Sequence, residues 1–203
     1  AHSVAGARHR GEGKANQDRI KFWTQRNRPV IALGDGAGSQ DNAEQGAEIA
    51  VTTAGSEIVA YSCGIDDSLL NRPLGPEVKC LLRPVFENAF ELVDKRIHKH
   101  AQTQHQMPQS FSVSLTAAVL ERSWIGCISE GDVALVSGRP GHWRLVNKIF
   151  KTESPNRPRS RNATNLLPYR TANSVSDSFF ESRQEGDLAL LFCDGALDAF
   201  LQD

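Results

Sequence analysis

Several things are scarce in this chain, and each scarcity excludes a class of protein. Its 203 residues include four cysteines, Cys63, Cys80, Cys127 and Cys193, with no Cys-x-x-Cys pair among them and no secretory leader. That is cytosolic usage, and Cys127 and Cys193 fall in apolar runs where a free thiol packs as a small hydrophobe. No apolar run approaches the ~20 residues that span a bilayer, so a soluble chain without membrane contact is expected. Charge of one sign is missing too: 23 Lys and Arg stand against 24 Asp and Glu, for a net charge of −1. Nothing in that balance argues for nucleic acid or a membrane surface as a partner. Methionine occurs once, at Met107, and the chain opens on Ala1, which reads as a processed or excised start. At this length the expectation is a single domain over residues 1–203, with a sizeable core.

What the chain does have is a repeated junction. Val30, Ile31, Ala32 and Leu33 form a short apolar run bounded by Pro29 and glycines, the pattern of a buried strand. The run stops at Gly34, and Asp35 follows inside a glycine-rich loop, Gly34 to Gly38, that permits unusual dihedrals and close backbone approach. Leu188 to Cys193 is a second apolar strand, and it runs into Asp194-Gly195, with Asp198 beyond. Two such junctions suggest carboxylates converging on one hard cation, because Mg²⁺ and Mn²⁺ prefer oxygen ligands. A lone Asp-Gly is more often a turn. Asn16-Gln17-Asp18 and Gly131-Asp132, the latter after a third apolar strand, move the balance toward ligands, although for Asp132 a hairpin turn stands equally open.

Between these junctions the periodicity changes twice. Ile20 to Thr24 reads as a strand. Asp41 and Glu44 have capping-box spacing ahead of Ala43, Ala47, Ala50, Val51, Ala54 and Ile58, which predicts a helix with a small-residue face to about Tyr61. A polar loop from Ser62 to Gly75 precedes a long amphipathic helix from Pro76 through Ile97, which Pro84 should kink or split. His98, His100 and His105 read as a solvated helix end. From Ser110 the period becomes two: Phe111 to Leu120, Trp124 to Ser129, Val133 to Ser137 and His142 to Val146 predict an antiparallel meander. Lys151 to Asn162, with two prolines and three arginines, reads as a solvated loop, its functional alternative being a phosphopeptide-docking flap. Ser178 to Ser182 and Asp187 to Cys193 are strands, and Leu197 to Leu201 starts a further helix.

In order along the chain, KANQD (Lys14 to Asp18), GDGAG (Gly34 to Gly38), EGD (Glu130 to Asp132) and CDGALD (Cys193 to Asp198) together resemble the metal-dependent protein phosphatases of the type 2C family, particularly its bacterial branch. Arg161 to Thr171 is similar to the stretch that precedes the last catalytic strand there. The resemblance implies an α+β fold, a four-layer αββα sandwich of two antiparallel sheets flanked by helical hairpins. It implies hydrolysis of phosphoserine and phosphothreonine by two Mg²⁺ or Mn²⁺ ions, with a looser third. Asp35 would bridge the two ions, the Gly36 carbonyl would bind one and Asp194 would hold the other. Asp18 would act through water, and Asp132 and Asp198 would form the third site. A phosphorylated protein as substrate, a cognate serine/threonine kinase and a cytoplasmic location follow from the same resemblance.

The chain also departs from the family pattern. Gly13 stands where an arginine binds the phosphate, so Lys14 or Arg10 would substitute, a lysine giving a point charge in place of a bidentate fork. Val133 and Ala134 replace the end of a Gly-Asp-Ser-Arg motif, and Ser114-Leu115-Thr116 occupies the place of Gly-Ser-Thr. The final Asp-Asn strand does not occur before Asp203, which favours a domain incomplete at its C-terminus. The rival from another class is a catalytically degenerate, regulatory or phosphoprotein-binding module on the same fold. A second rival is an esterase acting on a small phosphate ester. Cys193 lacks a Cys-x5-Arg phosphate loop, which argues against a cysteine-phosphatase mechanism.

Overall fold

A computed structural model describes residues 16–26, 28–147, 166–168, 176–193 and 196. The elements are β1 (Arg19–Gln25), β2 (Arg28–Gly36), α1 (Ala43–Gly64), a one-turn α2 (Asp67–Leu70), α3 (Pro76–Thr103) and a 3-10 turn (Pro108–Phe111), followed by strands alone. These are β3 (Val113–Leu120), β4 (Trp124–Glu130), β5 (Ala134–Arg139), β6 (His142–Leu145), β7 (Asp177–Ser182) and β8 (Leu188–Phe192). They build a five-stranded sheet in the order β1-β2-β3-β4-β7 and a three-stranded sheet in the order β6-β5-β8. Every pairing is antiparallel.

Strand alternation sorts the core into two layers. Val30 and Ala32 of β2, with Val113, Leu115, Ala117 and Val119 of β3, face α1 and α3 and join Ile58, Phe86, Phe90 and Ile97 in the main core. The other face meets the second sheet. Ala118, Ile125, Cys127 and Leu135 form that smaller cluster, with Ile31, Phe179, Ala189 and Leu191 packed against it. Both faces of the large sheet are thus covered, so β3 and β4 read as almost unbroken apolar runs. The α+β reading of two stacked antiparallel sheets with a helical hairpin holds; the helix expected over Leu197 to Leu201 lies outside the described residues.

Several local expectations are corrected. The antiparallel meander breaks between β4 and β5, which enter different sheets, and its first strand starts at Val113 because Phe111 closes the 3-10 turn. Glu44 does not close a capping box: Asn42 is the N-cap without a side-chain bond, and the Glu44 carboxylate pairs instead with Arg19. Pro84 does not split its helix, which runs from Pro76 to Thr103 as one element. Pro84 is exposed, while Val78, Leu82, Val85, Phe86, Ala89 and Phe90 bury one continuous stripe on either side of it, and that burial outweighs the lost hydrogen bond. The loop expected from Ser62 holds the end of α1 and all of α2, with the Asp66 side chain accepting from the Ser68 amide as an N-cap.

The small-residue face of α1 lets it lie close to the sheet. A Cβ on Gly46 would stand 1.9 Å from the Phe111 carbonyl oxygen, and one on Gly55 2.1 Å from the Trp23 ring. At the opposite end of β2, Arg28 is only 5% exposed. Its guanidinium pairs with Glu121, donates to the Ser62 carbonyl at 2.7 Å and reaches Asp67 at 2.9 Å, tying the start of β2 to α1, α2 and the β3–β4 turn.

Candidate metal centre

Strand β2 does not stop at Gly34. It runs to Gly36 because β3 pairs with it throughout, so Asp35 stands opposite Ser114 and Gly36 opposite Val113. Asp35 therefore leaves from a strand rather than a loop. Of the two properties expected of the glycines, close approach is the one in use: a Cβ on Gly36 would lie 2.9 Å from both the Cβ and the carbonyl oxygen of Ala43 at the start of α1. Alternation puts Asp35 on the same face as Ile31, toward the second sheet.

Two further side chains reach that place. Asp18 lies immediately before β1, in a turn where its amide donates to Asn16 Oδ1 at 3.2 Å. Arg19 fastens the turn from the other side, Nη1 donating to the carbonyls of Asn16 at 2.9 Å and Asp18 at 2.8 Å. Cys193 follows β8, on the face that Ala189 and Leu191 already direct between the sheets. One ligand atom each from Asp18, Asp35 and Cys193 lie within 4.8 Å of one another. Burial pushes the Cys193 thiol up to about 11, and the charges of Asp18 and Asp35 act in the same direction. Two carboxylates and a thiol, each half-buried, make a donor set that fits a divalent cation.

Asp132 is held separately. It is 7% exposed, and Ser114 Oγ donates to its Oδ1 at 2.7 Å. It follows Gly131, whose φ of 95° belongs to the left-handed region that favours glycine. The hairpin reading of Asp132 is corrected: β4 and β5 belong to different sheets, so Gly131-Asp132 carries the chain from one sheet to the other, with the Asp132 carboxylate fixed against the strand that pairs with Asp35. Beside it runs a buried polar network that the sequence did not disclose. Asn147 Nδ2 donates to Ser129 Oγ and to the Val133 carbonyl, each at 2.8 Å, while its Oδ1 accepts from the Leu135 amide at 2.7 Å. Thr116 Oγ1 lies 2.7 Å from Ser129 Oγ and donates to the same Val133 carbonyl at 2.9 Å. Each of these groups is satisfied, and together they fix β3, β4 and β5 around the turn that carries Asp132.

Of the residues expected at the site, the structure brings Asp18 and Asp35 together and places Gly36 and Asp132 as described. Arg10, Lys14, Asp194 and Asp198 lie outside the described residues, as does the segment Lys151 to Asn162. Cys193 was missed as a site member because its apolar run suggested packing alone; the parity it shares with Ala189 and Leu191 is the signal that could have found it. Among the described residues no histidine joins the cluster: His98 Nδ1 lies 2.9 Å from the Asp94 carbonyl, and His100 Nε2 is 3.1 Å from Gln45 Oε1. Arg19 and Lys21, on the helix-facing side of β1, pair with Glu44 and Glu48. Lys21, chiefly through its hydrogen bond, holds the Glu48 carboxyl below its usual range.

Comparison with known proteins agrees with this fold. Among solved structures, the chain is similar to the S. agalactiae serine/threonine phosphatase at 20% identity, with a TM-score of 0.66 over 91% of this chain and 75% of that one. It is similar to PppA, described as a regulatory component of T6SS in Pseudomonas aeruginosa, at 16% identity and a TM-score of 0.60, over 90% of this chain and 72% of the other. A bacterial serine phosphatase matches at 14% identity and a TM-score of 0.59, over 83% and 68%. At these identities the likeness shows the fold. No individually curated protein matches the chain. The sequence profile of protein phosphatase 2C, however, matches residues 5–202, nearly the whole length. The chain belongs to the protein phosphatase 2C family.

Proposed function

We propose that this chain is a metal-dependent protein serine/threonine phosphatase, acting on phosphoserine and phosphothreonine in a protein substrate. The observation that carries the reading is the convergence of Asp18 and Asp35 between the two sheets of a phosphatase-family domain. When bound, two Mg²⁺ or Mn²⁺ ions acidify a water and neutralise phosphoryl oxygens. The chain's own part is to hold and orient. Asp35 and the Gly36 carbonyl, from the end of β2, with Asp194 after β8, would be the direct ligands, and Asp18 would act through water. Ser114 donates to the Asp132 carboxylate, which with Asp198 would serve a looser third ion. Lys14 or Arg10 would take the phosphate. A single domain, a cytoplasmic location and a partner serine/threonine kinase belong to the same reading. Among the described residues no helix is long and apolar enough to cross a membrane.

The test is turnover of a phosphothreonine peptide by the full chain. Hydrolysis is expected only with Mn²⁺ or Mg²⁺, and Asp35→Asn should lower it by several orders of magnitude, since Asp35 would be a ligand on which both ions depend. Activity that survives both a chelator and Asp35→Asn would sink the assignment. The degenerate module is favoured by Gly13, Val133 and Ala134 at positions where the family carries functional side chains; it predicts phosphopeptide binding with no turnover.

A further inference from the structure

We propose that Asp18, Asp35 and Cys193 form a mixed oxygen and sulfur site that takes a thiophilic divalent ion, Zn²⁺ or Cd²⁺. The three donors come from three separate segments, before β1, at the end of β2 and after β8, and still lie within 4.8 Å of one another. Donors around a tetrahedral ion with bonds of about 2.0 to 2.3 Å stand roughly 3.3 to 3.7 Å apart. The group therefore has to close by at most about 1 to 1.5 Å, which side-chain torsions supply.

Softness then decides which ion gains from the sulfur. Mg²⁺ and Mn²⁺ bind oxygen and gain little from a thiol, whereas Zn²⁺ and Cd²⁺ accept both kinds of donor. Binding forms one metal–sulfur bond and releases the thiol proton to solvent, with no change of oxidation state. Two carboxylates and one thiolate more than balance the dication, and water completes the coordination. The same two carboxylates serve the hard ion, so the thiophilic ion would compete with Mn²⁺; this last clause alone rests on the phosphatase reading.

The experiment titrates Cd²⁺ into the chelator-stripped, reduced full chain and follows the thiolate-to-metal charge-transfer absorption in the ultraviolet. One equivalent should develop the band. Cys193→Ser and Cys193→Ala, each checked for folding by circular dichroism, should abolish it, while Cys63→Ser and Cys80→Ser leave it intact. Asp35→Asn, which keeps the thiol, should weaken Cd²⁺ binding by more than about 10-fold, since losing even an outer-shell partner costs that much and Asp35 is a direct donor. A band that survives Cys193→Ser, or one that Asp35→Asn leaves unaltered, overturns the proposal, the second because it would show a lone thiol. Peptide turnover measured on the same preparation separates the two ideas. The band without turnover upholds the mixed site and counts against the phosphatase; Mn²⁺-dependent turnover without the band does the reverse.

Discussion

Ser114 and Asp132 are 18 residues apart in the chain, yet Ser114 Oγ donates to Asp132 Oδ1 at 2.7 Å. Ser114 is also the cross-strand partner of Asp35. One residue of β3 therefore sets the distance between two carboxylates that belong to different elements. Ser114→Ala should leave a buried carboxylate oxygen without this donor and cost about 1 to 3 kcal/mol, the range for a buried polar group left unsatisfied. Urea denaturation checks the stability, and calorimetric titration of Mn²⁺ should show weaker binding in the same variant. An unchanged midpoint together with unchanged Mn²⁺ affinity would remove Ser114 from the site.

Glycines of α1 give a paired test of close packing. Gly46→Ala forces a Cβ to 1.9 Å from the Phe111 carbonyl oxygen, and backbone cannot yield as a flexible side chain does. A loss of at least ~1 to 3 kcal/mol is expected, as for other overpacked sites. Gly64→Ala, at the last residue of α1, meets nothing within 4 Å and should be neutral or stabilising by up to about 1 kcal/mol. Thermal unfolding of the two variants side by side decides it; equal shifts would contradict the tight fit at Gly46.

Burial pushes the Glu121 carboxyl above its ordinary 4.5, with the pull of Arg28 too weak to reverse it and the charge of Asp67 adding to the rise. The folded chain thus holds this proton more tightly than the unfolded chain. Its contribution to stability is fullest below pH 4.5 and declines as pH rises through the folded value. Glu121→Gln removes the titration. The stability of the parent chain relative to this variant should therefore shrink between about pH 4 and pH 7. Chemical denaturation across that window measures it, and a difference that widens with pH would refute the sign.

Lys14 is the proposed substitute for a phosphate-binding arginine. Lys14→Ala should raise KM for a phosphopeptide more than it lowers kcat, the pattern of lost ground-state binding. Steady-state kinetics with one phosphothreonine peptide suffices. If KM does not move, the role passes to Arg10 or to no side chain.

The layout of the fold was legible where burial enforces a period. The stripe from Val78 to Ile97 emerged as read because it buries a continuous face, and the strand read over Phe111 to Leu120 emerged from Val113 onward, buried on both faces. Asp35 was legible as a site residue from its strand and its glycines, and Asp18 from its motif. Cys193 was not, since an apolar neighbourhood looks the same whether a thiol packs or faces carboxylates. Nor was the Asn147 network, whose members Thr116, Ser129 and Asn147 are commonplace residues that only tertiary structure brings within bonding distance. Glu44 shows a different failure. Local spacing offered a cap, but Arg19, 25 residues away, offered a charge, and the charge prevailed.

Asp35 has a neighbour, Gly34, whose Cβ, if it had one, would meet Val113 and Val51 at 3.3 Å and the Ala47 carbonyl oxygen at 3.4 Å. A one-residue slip of β2 would carry Asp35 onto that side, driving a carboxylate among Ala and Val side chains. Such a burial costs several kcal/mol, so a mispaired sheet is excluded from the folded population. The carboxylate therefore proofreads the strand that carries it. A molecule that has reached the native state has its acid on the correct side. Variants that weaken the domain at a distance should reduce the number of competent molecules without altering the performance of each one.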